Sequence, residues 1–244
     1  MEERVGKRGS VASFLSERML RTAGFVSRGN RTADVGCDHA YTSIYLVEQG
    51  IAPQVIAMDV NAGPLARAKE NVAKFGMEEK ISLRLSDGLA KLLPGEVDTV
   101  LIAGMGGPLM ERILSAYPET VAQVKELVLQ PQSEIAEFRR FVQRIGFRIT
   151  EEDMLVEEGK YYTILRVEHG EEAPWTEEEY SYGKCLRKTA IPVLQAFLEE
   201  ERRKAKEVLD GLSAAGTEKA ARRREEILLQ LKRNEAMTEK LANR

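Results

Sequence analysis

Five short segments hold most of the side chains that could do chemistry. They are "ADVGCDHAY" at 33–41, "AMDVN" at 57–61, "LSDGL" at 85–89, "IAGMGG" at 102–107 and "LQPQ" at 129–132. Aspartate and glycine dominate them. Asp59 follows the first segment by about 20 residues, the spacing at which a carboxylate accepts hydrogen bonds from ribose hydroxyls. The same residue type at a strand end also caps helices. Asp87 and Gly88 either reach an adenine amino group, with the glycine letting the backbone come close, or form a plain Asp-Gly turn.

The first segment discriminates between ligands. A loop that cradles a pyrophosphate uses G-x-G-x-x-G, so that backbone amides and a helix N-terminus meet the phosphates. Here Gly36 is followed by Asp38, and no such pattern can be drawn. A carboxylate beside two phosphate charges is repulsive, whereas beside a cation it is favourable. S-adenosylmethionine has no pyrophosphate and carries a sulfonium and an ammonium group, so the segment opposes a dinucleotide and suits this methyl donor. His39 could bind or shuttle a proton, or merely cap a helix. Tyr41 could stack on a base. Gly104, Gly106 and Gly107 either leave a backbone-lined floor or only allow tight helix packing.

Such side chains need a scaffold, and the apolar pattern supplies one. After a helix expected at about Ser10–Ala23, strands are expected at 31–36, 54–60, 81–87, 97–105 and 126–132. Helical periods separate them at Tyr41–Glu48, Leu65–Phe75 and about Pro108–Tyr117, and "SEIAEFRRFVQRIGF" follows, ending near Gly146. This alternation predicts an α/β fold with a Rossmann-like parallel sheet covered on both faces. Two further strands, 147–156 and 161–168, are joined by "EEGK" and predict a closing antiparallel hairpin. From Trp175 the strand pattern stops. "TEEE" at 176–179 reads as a capping box opening a long helix. Leu186, Ala190, Val193, Leu194, Phe197, Val208 and Leu212, then Ala220, Ile227, Leu231 and Leu241, predict an antiparallel coiled-coil hairpin broken at "GLSAAG". Pro192 is expected to kink or split its first helix. The expected division is residues 1–170 and 171–244.

Charge and composition narrow the class. Two histidines and the separated Cys37 and Cys185 make a metal site improbable and read as reduced thiols. No apolar run approaches the roughly 18 residues of a membrane span, and the N-terminus lacks a signal-peptide core, so a cytoplasmic protein is expected. Net charge is −3, yet residues 1–31 carry seven Lys/Arg against three Asp/Glu. A nucleic-acid partner would therefore need local basic patches.

Taken together, "ADVGCDHAYTSIYL", "SDGL", "IAGMGG", "LQPQ" and "EEGKYYTIL" resemble the bacterial tRNA adenine-N1 methyltransferases of position 22, the TrmK family, within the class I S-adenosylmethionine-dependent enzymes. The resemblance covers residues 10–170 as motifs and 175–244 as architecture. It implies a cofactor pocket at Gly36, Asp38, Asp59, Asp87, Gly88, Gly104 and Met105, to which Asp34 and Val60 are added; from their place at the mouth of the loop, Asp38, His39 and Tyr41 are the catalytic candidates. Cys37 departs from the small hydroxyl residue expected at its place. tRNA contacts are expected from Lys7, Arg8, Arg18, Arg21 and Arg28, and from Arg202, Arg203, Lys204, Arg222, Arg223 and Arg224. The alternative for the tail is a solvated or dimerising face. Rival readings are a same-fold methyltransferase with another substrate, and a non-catalytic RNA-binding module that keeps the pocket.

Overall fold

The structure, a computed structural model, describes residues 10–212 and 217–243. A 3-10 turn at Val11–Phe14 precedes α1 (Glu17–Ala23). Then come β1 (Thr32–Val35), α2 (Tyr41–Glu48), β2 (Val55–Asp59), α3 (Ala62–Phe75), β3 (Ile81–Leu85) and β4 (Thr99–Met105). They are followed by α4 (Gly107–Ala116), α5 (Pro118–Val121), β5 (Glu126–Pro131), α6 (Ile135–Arg144), β6 (Phe147–Glu157) and β7 (Lys160–His169). The chain ends with α7 (Glu177–Tyr182), α8 (Ile191–Leu212) and α9 (Glu218–Ala242).

The sheet runs β3-β2-β1-β4-β5-β7-β6. Its first five strands are parallel, and β7 enters antiparallel between β5 and β6. Every residue of β1, β2 and β5 is buried, which is why apolar residues prevail in these strands, with Thr32, Asp34, Asp59, Glu126 and Gln130 as buried polar exceptions. One core, around Ile44, Leu46 and Val72, covers the face packed by α2 and α3. The other, around Met110, Phe138 and Val142, covers the face packed by α4 and α6. Strand order turns outward between β1 and β4, so the carboxyl ends of these strands frame the crevice where open α/β sheets bind ligands.

Three expectations change. The single N-terminal helix is two pieces, because Ser16 leaves the helical conformation and its side chain caps α1 by accepting from Met19 N. The capping box at Thr176 and Glu179 is present, yet it opens only the six-residue α7. Gly183 ends that helix at φ +98, where a Cβ would lie 2.8 Å from Glu152 Oε2. Pro192 does not kink a helix: α8 starts at Ile191, and in a first turn the missing N–H is not needed.

Helices α8 and α9 pair antiparallel, and Asn234, fully buried, ties them. Its Nδ2 donates to Leu198 O and to Glu201 Oε2, both at 2.9 Å. Its Oδ1 accepts from Arg202 Nη2 at 3.0 Å. A buried amide satisfied on both sides fixes the register of a helix pair. Of the break expected at "GLSAAG" (211–216), Gly211 and Leu212 still belong to α8, and 213–216 lie outside the described residues.

Candidate active site

β1 ends at Val35, and the chain must turn at once to start α2. Gly36 makes that turn at φ +77, and its amide and that of Cys37 donate to Met58 O at 2.8 and 2.9 Å. A side chain at Gly36 is disfavoured by that positive φ, and its Cβ would also press on the Met105 Cε methyl at 2.4 Å. Asp38 and Ala40 also hold positive φ, at 49 and 59. Such strain outside glycine concentrates at functional loops. Ala40, not His39, is the N-cap of α2, and no side chain caps the helix, so the capping alternative for His39 falls away.

A cavity of about 380 Å³ opens where this loop faces the end of β4. Asp34, Gly36, Asp38, His39, Tyr41 and Gly104 line one side. Phe14, Leu15, Arg18 and Met19 close the other, a wall contributed by the N-terminal segment that the sequence did not reveal. Asp34 is buried, and its Oδ2 accepts from Ser43 Oγ at 2.6 Å. Burial and the nearby Asp59 carboxylate push its carboxyl up to about 6, against the pull of the Ser43 hydrogen bond. Burial and the same carboxylates push the Cys37 thiol far above its usual value, so it is no nucleophile. Asp38 is exposed, with Oδ1 3.5 Å from His39 Nε2.

Asp59 lies at the end of β2 and is nearly buried. One carboxylate oxygen accepts from Asp38 N at 3.2 Å, the other from Asn61 N at 2.8 Å. It therefore joins the first two loops instead of capping α3, whose N-cap is Asn61. Val60 beside it is 58% exposed. Asp87 and Gly88 line a separate depression with Arg112 and Tyr117.

The glycines at the end of β4 and just beyond it divide by role. A Cβ at Gly107 would lie 2.6 Å from Ser133 O, and one at Gly106 2.9 Å from Ser133 Oγ, so both serve close packing. Gly104 alone of the three lines the cavity, at φ +77 in a bulge of β4. Its amide donates to Gln130 Oε1 at 3.0 Å, and Arg18 Nη1 donates to the same oxygen at 2.7 Å. Gln130 is fully buried. A glutamine near the end of an apolar strand was the signal that could have found this anchor.

The candidate aromatic and basic residues are less free than expected. Tyr41 is stacked on Phe14 at 5.0 Å, so one of its faces is taken. Arg18 turns inward to Gln130 and Glu157, and Arg21 binds Glu17 and Asp153. Arg28 donates to Gln49 O, and Arg202 to Asn234 and Thr238. Arg203, Lys204, Arg222 and Arg223 form ion pairs with Glu207, Glu200, Glu218 and Glu226 on their own helices. Arg224 is exposed, and Lys7 and Arg8 lie outside the described residues. Among the described residues no group of three His, Cys, Asp or Glu could hold a metal ion, and no helix is long and apolar enough to cross a membrane.

Residues 32–236 match the family described as tRNA (adenine(22)-N(1))-methyltransferase, TrmK. The Bacillus subtilis tRNA (adenine(22)-N(1))-methyltransferase is 36% identical over 157 residues, 64% of this chain and 66% of that one. Two mycoplasma relatives are matched over 62% and 60% of their lengths. The curated relatives are thus covered over somewhat less than two thirds of their length. The crystal structure of the B. subtilis M1A22 tRNA methyltransferase TrmK superposes with a TM-score of 0.80 at 28% identity, covering 91% of this chain and 97% of that one. A Streptococcus pneumoniae protein solved in complex with S-adenosyl-L-methionine gives 0.79 at 34% identity, covering 91% and 98%.

Proposed function

The chain belongs to the tRNA (adenine(22)-N(1))-methyltransferase family, and from that membership we propose that it methylates N1 of adenine 22 in tRNA, with S-adenosylmethionine as donor. One observation carries the reading: carboxylates, not a run of glycine amides, face the cavity at the end of β1. The cradle suits a cationic donor, because the buried carboxyl of Asp34 lines it. When bound, S-adenosylmethionine supplies an electrophilic methyl group on a positively charged sulfur.

Asp34 and Asp38 hold the donor's positive end. Asp59 holds its ribose, and Asp87 with Gly88 approaches its adenine. Val60 and Met105 supply apolar contact. Adenine N1 has an in-plane lone pair, so the protein has only to expose and align it. The methylated base is cationic until N6 loses a proton, and Asp38 with His39 stands beside the cavity to accept it. Residues 1–170 carry this chemistry, and residues 171–244 grip the RNA in the cytoplasm. The helix-face ion pairs do not oppose that role. Exposed i,i+4 pairs are worth only about 0.3–0.5 kcal/mol, so a phosphate can replace the glutamate as partner.

The test is methyl transfer from labelled donor to unmodified tRNA, followed by mapping of the modified nucleoside. Label at N1 of adenine 22 is expected. Label on another base, or only on small molecules, would overturn the reading; so would donor binding without any turnover.

A pH dependence follows from Asp34. Its carboxyl is neutral below about 6 and attracts the cationic donor only once ionised. Donor affinity should therefore rise between pH 5 and 7 and be flat over that range in Asp34→Asn. Titration calorimetry at both pH values checks it, and an equal rise in the variant would exclude Asp34 as the cause. The donor-free fold moves the other way. A carboxyl raised from 3.8 stabilises fully below that value, and the contribution is lost as pH rises through about 6.

A further inference from the structure

The two glutamines of "LQPQ" stand two residues apart, so in an extended segment they leave the backbone on the same side. Both reach the Gly104 bulge, and they fare differently there. Gln130 is buried and spent, its Oε1 accepting from Gly104 N and from Arg18 Nη1. Gln132 lies one step nearer the open end of the sheet. Its backbone is fixed, because Pro131 ends β5 opposite Met105 and Gln132 N donates to Met105 O at 2.9 Å. Its side chain is exposed, and among the described residues its amide has no hydrogen-bond partner.

Gly104 keeps the space beside that amide open. A Cβ on Gly104 would lie 3.8 Å from Gln132 Nε2 and 4.0 Å from Arg18 Nη1, ordinary contact distances. Unlike Gly106 and Gly107, this glycine is therefore not forced by close packing, and it lines the cavity. The Gln132 amide thus stands at the β4–β5 rim of the candidate active site. A planar ligand edge arriving there meets one donor and one acceptor side by side. N6–H and N7 of adenine are the complement of that pair, and a glutamine amide binds them bidentately. Guanine presents O6 and N7, two acceptors, so the amide oxygen would face a lone pair. On the purine ring N6 lies between N7 and N1. A side chain on N6 and N7 takes only the N6 hydrogen on the N7 side and leaves N1 uncovered.

We propose that Gln132 reads the target base, Oε1 accepting from N6–H and Nε2 donating to N7, and so selects adenine over guanine at the methylated position. The proposal rests on the tRNA adenine-N1 methyltransferase reading.

The full chain is compared with Gln132→Ala and Gln132→Glu on unmodified tRNA carrying adenine or 7-deazaadenine at position 22. The 7-deaza base has a C–H in place of N7 and accepts nothing from Nε2. For the parent, kcat/KM should fall about tenfold on the 7-deaza tRNA, toward the lower end of what a bidentate amide–adenine pair discriminates. Gln132→Ala should lose about as much on adenine, then change by less than twofold between the two tRNAs. Gln132→Glu keeps an acceptor for N6 but no donor for N7, and should be equally insensitive to the deletion. Donor affinity should stay within about twofold in both variants. A parent chain indifferent to the 7-deaza base overturns the proposal, and that measurement needs no variant to fold. A variant still tenfold sensitive overturns it too, because N7 is then held by another group. A parent that methylates no tRNA, or none at adenine 22, is a different result. It removes the functional reading, and the role of Gln132 with it.

Discussion

Asp59→Ala is expected to weaken binding of S-adenosylmethionine by about a hundredfold or more. The carboxylate is held with one oxygen on Asp38 N and the other on Asn61 N, so its orientation is fixed before any ligand arrives. Each oxygen keeps lone-pair capacity for a ribose hydroxyl. Two hydrogen bonds to an ionised acceptor are worth about 3 kcal/mol or more together, which is roughly a hundredfold in affinity. Preorganisation adds to this, because alanine also unties the first loop from the second. Asp59→Asn keeps one acceptor oxygen and should lose only about tenfold. Titration calorimetry ranks the three proteins, and a thermal scan shows whether each is folded. An alanine variant within about threefold of the parent would remove Asp59 from the ribose site.

The loop after β1 that lines the cavity was legible because its residues are local. Asp34, Gly36, Asp38 and the strand before them are neighbours in sequence, and Gly104 enters through the adjacent parallel strand. The central strands were legible for a related reason: burial on both faces favours apolar types along them, with Thr32, Asp34 and Asp59 as the buried polar exceptions. What stayed hidden depends on partners far away in the chain. Arg18 counts as a basic surface residue until β5 supplies Gln130 and the hairpin supplies Glu157. The wall made by Phe14 to Met19 was hidden inside one amphipathic period, which gives no warning that Ser16 divides it. The capping box misled over length alone. Its hydrogen bonds are local, while the glycine that stops the helix is set by a carboxylate on β6.

That carboxylate supports the largest expected effect on stability. Glu152 and Arg139 are 0% and 1% exposed and meet at 2.7 Å. Arg139 Nη1 also donates to Tyr180 O at 2.7 Å, and Glu152 Oε2 accepts from Lys184 N and Cys185 N at 2.8 and 2.9 Å. The pair thus fastens the 180–187 segment, and the helices beyond it, to the edge strand of the sheet. Glu152→Leu keeps the volume but strands a buried guanidinium and leaves two amides without their acceptor. Breaking such a pair costs about 3–5 kcal/mol, and for a chain of this size that lowers Tm by roughly 6–20 °C. The double variant Arg139→Met/Glu152→Leu removes the stranded charge and should recover part of the loss, because two apolar side chains tolerate burial better than one unpaired ion. Calorimetric melting of the three proteins separates the possibilities. A single variant melting within about 2 °C of the parent would show that the pair does not hold the junction. A double variant less stable than the single would show that lost packing, not unpaired charge, is the cost. Donor affinity provides the final separation: Asp34 and Asp59 sit across the sheet on β1 and β2, so Glu152→Leu should leave it intact at temperatures where the chain is folded.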